Sequence, residues 1–275
     1  MSILKRNNVK LFGEGSRPMI FAHGYGCDQN MWRYVAPAFQ QDYKIILFDH
    51  VGAGNSDIAA FDRRRYQTLA GYSEDVLEIC HALDLRNVTF VGHSVSSMIG
   101  VLAAIREPEL FENLILVGPS PRYINDVSYV GGFERPEIDG LLDMLDQNYL
   151  GWASTMAPAI MANGDRPELA AELENSFCRT DPQIAKFFAR VTFLSDNRED
   201  LAQVRSRTLI LQCSEDVIAP LSVGEFVHRE ITNSELVIMK ATGHCPNLSA
   251  PEETIRSIQK FLVGSSASAK LSFAS

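Results

Sequence analysis

Nothing in this sequence reads as a membrane span, because no apolar run approaches the ~20 residues that a bilayer crossing takes. The opening residues, MSILKRNNVK, lack the apolar stretch of a secretory signal. Cysteine is scarce and scattered: Cys27, Cys80, Cys178, Cys213 and Cys245 are odd in number and contain no C-x-x-C pair. That pattern excludes a disulfide framework or a zinc site and leaves the reduced thiols of a cytoplasmic protein. Clustered positive charge is almost missing. Arg63-Arg64-Arg65 is the one basic run in a chain of net charge -9, so neither nucleic acid nor a membrane surface is an expected partner. What remains is an ordinary globular composition, 46% hydrophobic and 21% charged, with ample material for a core.

Seven short apolar runs end in small or turn-forming residues: VKLF, MIFAHG, KIILFDHVG, VTFVGHS, LILVGPS, TLILQCSED and LVIMKATGH. Most lack alternation, which suits strands buried on both faces of a parallel sheet. Amphipathic stretches separate many of them, clearest over Tyr72–Leu83, Val95–Arg106 and Pro251–Leu262. Ser249 and Glu252 have the spacing of a capping box ahead of the last. Strand and helix in alternation predict a doubly wound α/β sheet. The alternation fails between residues 121 and 204, where helical segments run without a strand. The reading is a core of residues 1–120 and 205–263, a helical cap over 121–204, and a small polar tail over 264–275.

Ligands of open α/β sheets bind beyond the carboxyl ends of the strands. There the fourth, sixth and seventh runs deliver Ser94, Asp216 and His244, in the chain order of an α/β-hydrolase triad. A serine hydroxyl needs a base to take its proton as it attacks, and imidazole can accept that proton and return it to the leaving group. A carboxylate holds the imidazole's tautomer. The oxyanion hole is expected from the backbone N–H of Val95 and from Tyr25 in HGYG. Blander readings stand beside these. Ser94 before a helix could be an N-cap, Glu215 is a rival to Asp216, and His23 and His93 flank the site in contexts that orient loops. His50, His81 and His228 have no strand-end partner.

The serine motif itself, Gly92-His93-Ser94-Val95-Ser96, departs from G-x-S-x-G at its last residue. Ser96, Gly100, Ala103 and Ala104 make one small helical face, on which Ser96 is expected to bond a carbonyl one turn back.

The blocks HGYGCDQNMW, FDHVGAGNSD, YQTLAGYSEDV, FVGHSVSSMIGVLAAIREPELF, GPSPRYINDVSYVGGFE and SDNREDL resemble the RsbQ-type α/β hydrolases. That group holds a bacterial stress-response regulator and the plant karrikin and strigolactone receptors. The resemblance runs from about Ser2 to Leu262 and implies an α/β-hydrolase fold, with a mostly parallel sheet flanked by helices and a four-helix cap between two core strands. It puts the triad on Ser94, Asp216 and His244 and the oxyanion donors on Tyr25 and Val95. Its pocket positions fall on Tyr25, Tyr123, Phe133, Trp152, Met156, Phe193 and Ile218. Tyr25 stands where phenylalanine is common, and a serine at the position of Ser96 is usual in that group. The expectation is a cofactor-free serine hydrolase of a small, largely apolar ester, lactone or butenolide, working through an acyl-enzyme. The resemblance adds an alternative: a ligand sensor with slow hydrolysis and a protein partner in signalling.

Overall fold

A computed structural model describes residues 2–272 of the chain. The seven apolar runs are seven strands: β1 Lys10–Phe12, β2 Arg17–Ala22, β3 Tyr43–Leu47, β4 Val88–His93, β5 Phe111–Val117, β6 Arg207–Glu215 and β7 Ser234–Thr242. They form one sheet in the order β1-β3-β2-β4-β5-β6-β7. Only β1 is antiparallel to its neighbour, β3; the pairs from β3 across to β7 are parallel. Helices follow in chain order as α1 Ile3–Arg6, α2 Leu69–Ala82, α3 Val95–Arg106, α4 Arg135–Gln147, α5 Tyr149–Met161, α6 Pro167–Arg179, α7 Pro182–Phe193, α8 Leu221–Glu230, α9 Pro246–Ser249 and α10 Pro251–Ser272.

Every residue of β4 is buried, as a central strand covered on both faces must be. Side chains of β2 alternate between two cores: Met19 and Phe21 join Trp32 and Phe261 on one face, while Ile20 and Ala22 join Phe90, Met98 and Ile99 on the other. The small face of α3 earns its composition from contact, since a Cβ on Gly100 would lie 2.3 Å from the Phe90 ring. Among the described residues no helix is long and apolar enough to cross a membrane.

Four helices, α4 to α7, lie between β5 and β6, where the strand pattern lapses in the sequence. The stretch from Arg135 to Ser154 reads as one segment, yet the chain breaks at Asn148. There φ is -147° and the side chain accepts from the N–H of Gly151, starting a second helix. The capping box expected at Ser249 and Glu252 does not form: Ser249 closes α9 and its hydroxyl has no hydrogen-bond partner. A capping box does open α4, between Glu134 and Glu137. Helix α10 continues through Gly264 into the segment read as a tail; residues 273–275 of that tail lie outside the described residues.

Candidate active site

The carboxyl edge of the sheet gathers three loops. At the end of β4 the chain turns sharply through Ser94, whose φ of +56° is a strained left-handed value for a residue with a side chain. Gly92 makes the turn close, because a Cβ there would sit 2.5 Å from the Ser96 carbonyl oxygen. Although Ser94 precedes α3, its hydroxyl caps no helical N–H. It lies instead 2.7 Å from Nε2 of His244. The N-cap reading therefore fails on geometry.

His244 Nδ1 lies 2.7 Å from Oδ2 of Asp216. The other carboxylate oxygen of Asp216 accepts from the N–H groups of Ile218 and Ala219, at 2.8 and 3.1 Å. Burial alone would raise the pKa of Asp216, but the His244 imidazole and these two N–H groups outweigh it and hold it low. The side chain stays an anion. Glu215, the rival, is exposed at the end of β6. His93 donates from Nε2 to the His244 carbonyl at 2.7 Å, and burial, then the neighbouring His244, pushes its own pKa down to about 3. Gly118, at φ +59°, would bring a Cβ within 3.2 Å of the His244 ring.

Tyr25 follows β2, and Val95 is the first residue of α3. Neither backbone N–H has an acceptor among the described residues. For Val95 that is the usual fate of a first-turn donor, and the helix dipole makes the spot favourable to negative charge. The Tyr25 side chain crosses towards α7, where its hydroxyl donates to the Ala185 carbonyl at 3.0 Å. Its ring touches those of Trp152, Phe177, Phe188 and Phe193.

A cavity of about 30 Å³ adjoins Ser94 and His244, room for about two waters. Of the seven expected pocket residues, Tyr25, Tyr123, Trp152, Met156, Phe193 and Ile218 line it. Phe133 does not. Its loop folds back on itself, with Phe133 donating to the Tyr123 carbonyl and accepting from the N–H of Asn125, and its ring packs on the core instead. Unforeseen members include Leu173 and Phe177, which share the apolar face of α6, and Cys245, next to His244. Thr192 also lines the cavity, and both its hydroxyl and the indole N–H of Trp152 are buried without a partner. A larger groove, of about 560 Å³ between Thr68 and the Phe187–Asn197 stretch, contains none of the reactive groups.

A mostly parallel sheet with a strained serine turn after β4, an aspartate after β6 and a histidine after β7 defines the class of α/β hydrolases. The chain belongs to that family: the profile described as alpha/beta hydrolase fold matches residues 17–251. Within it the chain falls in the RsbQ-type group. It is 40% identical to a strigolactone esterase of Arabidopsis thaliana over 262 residues, 95% of this chain and 98% of that one. A karrikin insensitive 2 receptor of Petunia hybrida is 39% identical, covering 90% and 93%. The solved structure of a hydrolase from Oleispira antarctica superposes with a TM-score of 0.92 at 41% identity, covering 94% of this chain and 95% of that one.

Proposed function

We propose that the chain is a serine hydrolase of small, largely apolar esters, lactones or butenolides, with Ser94 as nucleophile, His244 as base and Asp216 as its orienting anion. The observation that carries this is the unbroken line from Asp216 through His244 to Ser94, 2.7 Å at each step. Asp216 keeps the proton of neutral His244 on Nδ1, so Nε2 is free to accept. Ser94 Oγ then bonds to the substrate carbonyl carbon as its proton passes to Nε2, and the carbonyl oxygen becomes an anion facing the N–H groups of Tyr25 and Val95. Collapse breaks the ester bond, and the leaving oxygen takes the proton from Nε2. Water, deprotonated by His244, cleaves the acyl-serine and releases the acid. No cofactor enters either step.

The four helices act as the cap of this site. The 30 Å³ cavity is about a tenth of the ~300 Å³ of small ligand pockets, so a ligand of that size enters as the lining moves. Ser94→Ala should lower turnover of a p-nitrophenyl ester at least about a thousandfold while the variant keeps its melting temperature. Unchanged turnover would remove Ser94 from the mechanism.

A second reading, a ligand sensor, has support in the same small cavity and in the receptor names of its relatives. A ligand that props the cap apart changes the outer surface of α4 to α7, which a protein partner can read. Hydrogen exchange across residues 135–193 with and without a butenolide tests it. Identical exchange during turnover leaves the protein an enzyme alone.

A further inference from the structure

Ser96, the residue that breaks the G-x-S-x-G pattern, does not bond back along its helix. Its hydroxyl donates to the His23 carbonyl at 2.5 Å, across to the loop after β2, and accepts from Nε2 of His50 at 2.8 Å. The back-bonding expected of it belongs to Ser97, which reaches the Gly92 carbonyl at 2.9 Å. His50 sends its own backbone N–H to Nε2 of His23 at 3.0 Å, which leaves the His23 proton on Nδ1, and that proton goes to the Gly24 carbonyl at 2.9 Å. All three side chains are buried, Ser96 and His23 completely.

These bonds fix two successive peptide planes. The Ser96 hydroxyl holds the carbonyl of the His23–Gly24 peptide, and the His23 ring holds the carbonyl of the Gly24–Tyr25 peptide. In a trans peptide the N–H points opposite the C=O. Holding the Gly24 oxygen therefore aims the Tyr25 N–H. Ser96 sits one residue after Val95, so one hydroxyl ties the helix that carries one donor to the loop that carries the other.

We propose that Ser96, acting through His23 and braced by His50, is a positioning residue that sets the spacing and direction of the two oxyanion donors, Tyr25 and Val95. This rests on the hydrolase reading above. Burial lowers the pKa of His50 and of His23, in the latter against the pull of Asp49, so both rings stay neutral and the proton pattern holds near neutral pH. The tie lies in the ground state and works in the transition state, because a donor that need not reorient costs nothing as charge develops.

The test uses Ser96→Ala and Ser96→Gly, the second restoring the consensus glycine. With a p-nitrophenyl ester, both should lose on the order of tenfold in kcat with KM within about twofold, less than the loss of a whole donor. Hydrogen exchange of a peptide spanning residues 21–27 should quicken in both, whatever the turnover. If small size is all the site needs, Ser96→Gly will match the parent in kcat and in exchange, and the proposal is overturned. Unchanged exchange overturns it even if kcat falls. Ser94→Ala in parallel separates the two ideas: turnover that survives it sinks the hydrolase reading, while the exchange result still decides the role of Ser96.

Discussion

Thr192 and Trp152 each bury a polar atom, without a partner, in a lining that is otherwise mainly apolar. An unsatisfied buried hydroxyl costs about 1–3 kcal/mol, and a ligand oxygen is the group that would relieve it. Thr192→Val, nearly the same shape, should raise the stability of the free protein by about 1 kcal/mol. It should also shift the ratio of kcat/KM between an alkoxy-substituted ester and its all-carbon counterpart about tenfold towards the latter. Chemical denaturation and paired kinetics read the two effects; an unmoved ratio means the hydroxyl faces no ligand. Thr192 is invisible in the sequence because a threonine on a helix usually satisfies itself locally. Glu215 stands beside Asp216 as a rival in the sequence, and what distinguishes them physically lies in the turn after β6, where the N–H groups of Ile218 and Ala219 gather on one carboxylate and not its neighbour. Ser94 and His244 are legible because strand-end position and chain order are sequence properties.

Helix α5 ends against the histidine loop. The Ile160 carbonyl accepts the backbone N–H of His244 at 2.8 Å, and Asn163 donates to the Thr242 carbonyl at 3.2 Å. Between them Gly243 sits at φ +81°, where a Cβ would lie 2.0 Å from the Met161 carbonyl oxygen. Gly243→Ala therefore combines left-handed strain of about 1–2 kcal/mol with a backbone collision. Melting temperature and kcat should fall together, since the loop that moves away carries His244. Gly140, exposed inside α4 with nothing within 4 Å of a Cβ, is the control. Gly140→Ala should gain about 0.5–1 kcal/mol by helix propensity. An equal response of the two would show that α5 does not brace the loop. The strands were readable because continuous apolar runs between turn residues have one good use in an α/β chain. The break at Asn148 was not, because it interrupts an amphipathic pattern that could have continued.

Over the whole molecule, three buried histidines, His23, His50 and His93, stand neutral around the site. Burial lowers the pKa of each, that of His93 to about 3. In the unfolded chain the same rings protonate near 6.5. As pH falls below that value the unfolded state binds protons that the fold refuses, so stability rises with pH in this window and drains away on acidification. A ring that stays neutral throughout this window contributes about 1.4 kcal/mol for each pH unit, so His50 and His93 alone remove about 3 kcal/mol per unit, set against the ~5–15 kcal/mol of a typical domain. Asp216 adds to the loss only below the ordinary carboxylate range, since its pKa is lowered. Asp75 works the other way: burial, against Arg6 and Arg65, raises its pKa, so the fold takes up a proton there and offsets part of the loss at the acid end. Urea midpoints should therefore fall between pH 6.5 and 5, with a slope approaching about two protons from His50 and His93 and a further contribution from His23. His93→Gln should make that slope shallower by about one proton, whatever it does to stability at pH 7. A midpoint that stays level from pH 7 to 5 would mean that these rings open to solvent and accept protons in place.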